Sequence, residues 1–226
     1  MGEPRAVIFD LDGVLVDSEQ WWDQIRRQVV ADNGGTWTDE ATTAMLGMST
    51  PEWAGYLVEA LGVELSAEQV ATAVIGRMAD RYADGPPLLA DAVAVVGDAA
   101  RRAPVAIATS SPPTLIAAFL DGTGLRDTVR AAVSSEEVAA GKPDPAVYLA
   151  AADRLGVPPE ACVAVEDSTN GLRSALAAGM TVVAVPNPHF PPDESVVDRA
   201  AYRIDTLSQL PSVLDRITAS WPSAGS

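Results

Sequence analysis

One stretch near the start constrains this chain more than any other: Val7-Ile8-Phe9-Asp10-Leu11-Asp12-Gly13-Val14-Leu15. Its apolar, β-branched opening reads as a buried parallel strand with Asp10 at the C-terminal end. Residues two apart in a strand share a side, so Asp10 and Asp12 can face a common site. Neighbouring carboxylates repel each other, and burial raises the cost of both charges. A cation between them removes the problem, and a hard, all-oxygen ligand set suits Mg²⁺. An acidic strand-to-loop turn around a structural glycine would account for the same letters.

A strand buried on both faces needs helices to cover it. The next block, residues 18–84, supplies helical signals only. The turn Asp17-Ser18-Glu19 offers an N-cap. Trp21, Ile25 and Val29, with Trp22 and Val30 beside them, follow at helical spacing until Asn33-Gly34-Gly35 stops the run. Thr38 can cap a short second helix. Thr50-Pro51-Glu52 opens a third, and Ser66-Ala67-Glu68-Gln69 is a capping box for a fourth running towards Tyr82.

Gly85-Pro86-Pro87 breaks this block, and alternation begins. Strands are expected at Val105–Thr109, near Arg130–Val133, at Cys162–Val165 and at Thr181–Val185, with helices between them. Such alternation means a parallel sheet with helices on both faces. The expectation is an α/β chain: a doubly wound parallel-sheet core from 1–17 and 85–226, interrupted by an all-helical cap at 18–84. The tail Ala219–Ser226 is expected to fray.

With 226 residues, 48% hydrophobic and 20% charged, the chain can bury a full core and does not read as disordered. It has no apolar run long enough to cross a bilayer, and it opens on a strand instead of a basic, apolar leader. A soluble cytoplasmic protein, monomer or weak homodimer, is expected. Cys162 is the only cysteine, so no intrachain disulfide can form, and its apolar strand suits an inert thiol. A formal net charge of −16 disfavours nucleic acid and membranes as partners. An anionic ligand would need a local cation to reverse the global field.

In open α/β sheets the ligand lies beyond the carboxyl ends of the strands. Three predicted strands end in polar groups there: Asp10, Thr109-Ser110-Ser111, and Glu166-Asp167. Gly141-Lys142-Pro143 precedes a helix. Carboxylates, hydroxyls with backbone N–H groups, and one lysine together suit a phosphate and its Mg²⁺. Asp10, Asp12 and Asp167 would hold the metal, with Glu166 beside them. Thr109 and the N–H of Ser110 would bind phosphate oxygens, and Lys142 would neutralise charge. Singly, these groups also read as a helix cap, a polar turn and a solvated lysine. Their convergence on one sheet edge favours a site. With one histidine and one cysteine, neither a Ser-His-Asp nor a zinc reading survives, and His189 reads as a loop residue.

The ordered set Asp10-Leu11-Asp12-Gly13-Val14, Ala108-Thr109-Ser110, Gly141-Lys142-Pro143-Asp144-Pro145 and Val165-Glu166-Asp167-Ser168 resembles the four motifs of the haloacid dehalogenase-like superfamily. It looks most like the branch with a helical cap after the first motif, which includes β-phosphoglucomutase and phosphoglycolate phosphatase. The resemblance implies a Rossmann-like core and a nucleophilic Asp10 that takes up the phosphoryl group. Asp12 would be the general acid and base, and its backbone carbonyl would join Asp10 and Asp167 around the metal. Thr109, Ser110 and Lys142 would hold the transferring group. The substrate would be a small phosphorylated metabolite.

Two departures matter. Mutase-like members have a histidine where this chain has Trp21-Trp22, and a cap arginine where it has Gly47-Met48-Ser49-Thr50. A phosphatase is therefore expected over a phosphomutase. Trp22, Met48, Ser49 and Trp53 are candidates for the wall that selects the leaving group, although Trp53 also reads as cap core. A phospho-accepting receiver domain is disfavoured by motif order and by the insertion, and a silent binding protein by the full catalytic set.

Overall fold

Four strands of the core are apolar along nearly their whole length, because helices cover both faces of the sheet. The computed structural model describes residues 6–45, 48–82 and 85–220. In chain order these form β1 (Ala6–Phe9), α1 (Glu19–Asp32), α2 (Ala41–Ala44), α3 (Thr50–Glu59), α4 (Ala67–Tyr82), α5 (Ala92–Arg102) and β2 (Val105–Thr109). Then come α6 (Pro113–Thr123), β3 (Val129–Ser134), α7 (Ala146–Leu155), β4 (Cys162–Glu166), α8 (Thr169–Ala177), β5 (Thr181–Ala184), α9 (Glu194–Val197), β6 (Tyr202–Arg203) and α10 (Leu210–Ser220).

The sheet is parallel throughout, in the order β3-β2-β1-β4-β5-β6. Strand order reverses at β1, so the ligand crevice of such a sheet opens at the C-terminal ends of β1, β2 and β4. Alternation along β1 divides the core. Val7 and Phe9 join the cluster under α5, α6 and α10, while Ala6 and Ile8 join the one under α7 and α8. The second face is alanine-rich on the central strands, with Ala106, Ala108 and Ala164, and the bulk of Tyr148 fills the space this leaves.

The helices between β1 and β2 enclose a third apolar cluster around Trp22, Trp53, Leu57, Val70 and Met78, which Leu115 of α6 joins. The two connections to the sheet run side by side: Asp17 N–H donates to Pro87 C=O at 2.7 Å, and Leu89 N–H to Leu15 C=O at 3.1 Å. No helix among the described residues is long and apolar enough to cross a membrane.

Local details differ from the sequence reading in three places. Ser18 does not cap α1; its hydroxyl donates to Asp12 instead. Helix α2 starts after Glu40, not at Thr38, and lasts a single turn. Beyond Val185 the chain adds α9, β6 and α10, which are too short or too weakly patterned to be anticipated, and α10 carries Ala219 in regular helix. Residues 221–226 of the expected frayed tail lie outside the described residues.

Candidate active site

Parallel pairing sets the site. Phe9 stands opposite Val165 and Asp10 N–H donates to Val165 C=O at 3.0 Å, so Asp10 emerges beside Glu166 and Asp167. The loop before α7 brings Lys142 over them. Its Nζ lies 2.8 Å from Asp10 Oδ1 and 2.6 Å from Glu166 Oε1, and all three side chains are buried.

The two neighbours in Glu166-Asp167 have different surroundings. Glu166 accepts from five donors: Lys142 and the Tyr148 hydroxyl on Oε1, then Asp167 N–H, Ser168 N–H and Ser168 Oγ on Oε2. Helix α8 also approaches it closely, since a Cβ on Gly171 would fall 1.8 Å from Oε1. Asp167 is nearly bare. Its Oδ1 is buried without a hydrogen-bond partner, and Oδ2 has only a long 3.4 Å contact from Asn187. Gly13 makes room for it, because a Cβ there would meet Asp167 Oδ2 at 1.9 Å. The φ of +81° at Gly13 also suits glycine alone.

Oxygens of Asp10, Glu166 and Asp167 lie within 4.8 Å of one another. Three carboxylates thus face one ammonium, an excess of two negative charges. Burial, then the neighbouring carboxylates, push Asp167 well above the usual carboxylate range. Burial raises Asp10 to about 8 against the opposing pull of Lys142. Burial would depress Lys142, but Asp10 and Glu166 outweigh it and hold the ammonium above its ordinary value. The orphaned Asp167 oxygen, the excess charge and the all-oxygen donor set fit a hard divalent cation. Glu166 lies within reach, but its oxygens are already engaged, so Asp10 and Asp167 offer the free lone pairs.

Asp12 faces the other way, towards the helical insertion. Ser18 and the Trp22 indole donate to Oδ1, the latter at 3.1 Å. Ser111 Oγ at 2.6 Å and Thr109 Oγ1 at 3.4 Å donate to Oδ2. Asp10 and Asp12 thus open onto one cavity with different partners, and Thr109, Ser110, Ser111, Lys142 and Ser168 share its wall. Ser110 lies 3.5 Å from Ser135, hydroxyl to hydroxyl.

The opposite wall comes from the insertion: Glu19, Trp22, Arg26, Met45, Met48 and Trp53, so Trp22 and Met48 both lie where the sequence reading put them. The Trp22 and Trp53 rings lie 6.1 Å apart. Ser49 does not line the cavity. Its hydroxyl and N–H both donate to Glu52 at the start of α3, which rests against Gly141. The cavity holds only about 50 Å³. His189 is exposed on a loop, and burial lifts the Cys162 thiol to about 11, so both stay outside the chemistry.

Sequence reading missed Tyr148, Arg26 and Glu19, and it named Ser111 at the strand end without giving it a role. Ser111 adjoins a quoted motif, and Arg26 carried a signal, standing one turn beyond Trp22 on the apolar side of α1.

Sheet and site together define a parallel α/β enzyme with its carboxylates gathered at the strand-order reversal. The chain belongs to the haloacid dehalogenase-like hydrolases, whose family model matches residues 4–179. It is 34% identical to hexitol phosphatase B of Escherichia coli, covering 93% of this chain and 97% of the relative. It is also 34% identical to a phosphoglycolate phosphatase of Rhodospirillum rubrum, over 80% and 79% of the two chains. The crystal structure of CbbY from Rhodobacter sphaeroides in complex with phosphate superposes with a TM-score of 0.81 at 26% identity, covering 91% and 96%.

Proposed function

We propose that the chain is a Mg²⁺-dependent phosphatase that hydrolyses a small, sugar-phosphate-like monoester through an aspartyl-phosphate on Asp10. The observation that carries this reading is the buried group of Asp10, Lys142 and Asp167, with its orphaned carboxylate oxygen and excess negative charge. Asp10, Asp167 and the Asp12 backbone carbonyl would hold the metal. When bound, the metal neutralises the carboxylates and the phosphoryl oxygens.

Asp10 attacks phosphorus while Lys142 and Thr109 steady the phosphoryl oxygens. Asp12 protonates the leaving alcohol oxygen, then takes a proton from the water that attacks the aspartyl-phosphate. The hydroxyls of Ser18, Thr109 and Ser111 and the Trp22 indole orient it for both steps. Residues 18–84 act as the cap. A cavity of about 50 Å³ has room for a few waters and not for a phosphorylated sugar, so the cap moves to admit substrate. Trp22 fills the position where mutase-like members have histidine and spends its N–H on Asp12, which favours hydrolysis over isomerisation. The same features support a small phosphorylated metabolite as the partner.

A panel of phosphorylated metabolites should release inorganic phosphate with Mg²⁺ and none after chelation, with no isomer formed. Isomer formation from a hexose 1-phosphate would replace phosphatase by mutase.

The metal has a second, non-catalytic readout. Asp10 and Asp167 have folded pKa values above their unfolded ones. The metal-free fold therefore binds extra protons from about pH 4 upwards, and its stability falls as pH rises through that window. Mg²⁺ competes with those protons. At a hundredfold excess over its Kd, it should raise Tm by about 5–10 °C near pH 8, and by little near pH 5. An equal shift at both values would place the ion elsewhere.

A further inference from the structure

Arg26 is a charged residue on a buried helix face. Its guanidinium carbon lies 4.9 Å from the ring centroids of both Trp22 and Trp53. Its Nε is buried without a hydrogen-bond partner, and it has no ion pair among the described residues. Burying an unpaired guanidinium is costly unless something satisfies its donors. The two indoles cover its faces and leave its in-plane N–H edge uncommitted. Arg26 lines the same cavity as Asp10 and Asp12, on the wall that the helical insertion supplies.

Glu19 stands two turns earlier on the same side of α1 and lines the same wall. No hydrogen bond holds its carboxylate among the described residues. Burial, then Asp12, lift it to about 7, against the pull of Arg26.

We propose that Arg26 and Glu19 form the leaving-group subsite, which reads neighbouring hydroxyls of a polyhydroxylated alcohol seated against the uncommitted N–H edge of Arg26. The assignment rests on the phosphatase reading above. A hydroxyl both donates and accepts, so it satisfies a guanidinium and a carboxylate side by side. A second phosphate would meet one guanidinium already offset by Glu19 and Asp12, in a chain of net charge −16. A plain alkyl group would leave both polar groups unsatisfied. The same pair therefore selects against bisphosphates and simple alkyl phosphates.

The test is phosphate release by the full chain with Mg²⁺ from glucitol 6-phosphate, ethyl phosphate and fructose 1,6-bisphosphate. Wild-type kcat/KM should favour the hexitol ester over ethyl phosphate by about a hundredfold, the worth of two charge-assisted hydrogen bonds. Arg26→Met keeps the bulk and loses the donors, and should cut that preference about tenfold. Arg26→Lys should recover part of it. Glu19→Gln, a change at a partly exposed residue, should cut it several-fold and carries the test if Arg26→Met fails to fold.

An unchanged preference in Arg26→Met or Glu19→Gln, with all esters falling together, would leave Arg26 as packing only and overturn the proposal. So would a wild-type preference for the bisphosphate. No phosphate release from any ester would instead overturn the phosphatase reading on which the subsite rests.

Discussion

Asp10→Asn should lower phosphate release by at least about 10⁴-fold while leaving Tm unchanged or raised. An amide of the same size fills the same space but has no nucleophilic oxygen pair, and no neighbour can replace it. Asp167 lies in the same cluster but is assigned to the metal in the proposed function, and Glu166 is held by five donors. Stability moves the other way because Asp10 is a carboxylate its surroundings resist ionising. Burial raises it to about 8, and Glu166 adds repulsion. Neutralising it removes that repulsion, and Lys142 keeps its 2.6 Å bond to Glu166. Single-turnover phosphate release and a thermal melt check both halves. Retained turnover would remove Asp10 as the nucleophile, and a large loss of Tm would show that its charge holds the site together.

The opposed effects on rate and stability follow from what the site is for, and they bear on what the sequence could reveal. The sheet, its direction and the convergence of Asp10, Thr109, Lys142 and Asp167 were legible, because strand ends and helix starts leave local patterns. Long-range partners leave none. Ser18 reads as a helix cap until the fold brings Asp12 within reach of its hydroxyl. Tyr148 lies on an apolar helix, and only the packing of α7 across β1, β2 and β3 aims its hydroxyl at Glu166. Glu166 and Asp167 are neighbours of the same chemical type, so the sequence could not tell the anchored carboxylate from the bare one. The fold sets them apart, giving Glu166 five donors and leaving Asp167 Oδ1 without a partner. Strand β6, two residues long, is too brief to show any period. Arg26 was visible as an anomaly, a cation one turn from Trp22 on an apolar stripe, but not the cavity it faces.

Lys142→Met is the second large effect, and it separates charge balance from chemistry. Removing the ammonium leaves Asp10 without its 2.8 Å partner and Glu166 with four donors in place of five. Losing one partner of a buried ion pair costs about 3–5 kcal/mol, or roughly 10 °C of Tm in a chain of this size. The sign with pH follows from the pair. Lys142 is held above its ordinary value, so its contribution is complete at neutral pH. The loss should be greatest near pH 8, where Asp10 must ionise, and small near pH 5, where it can stay protonated. Phosphate release should fall about 10³-fold, because the phosphoryl oxygens lose their nearest fixed cation. Adding Glu166→Gln to Lys142→Met removes one of the stranded charges and should recover much of the Tm, yet none of the rate. Recovery of both would mean that Lys142 only balances charge. Recovery of neither would mean that the Glu166 charge itself is needed to hold the loop before α7 against β4.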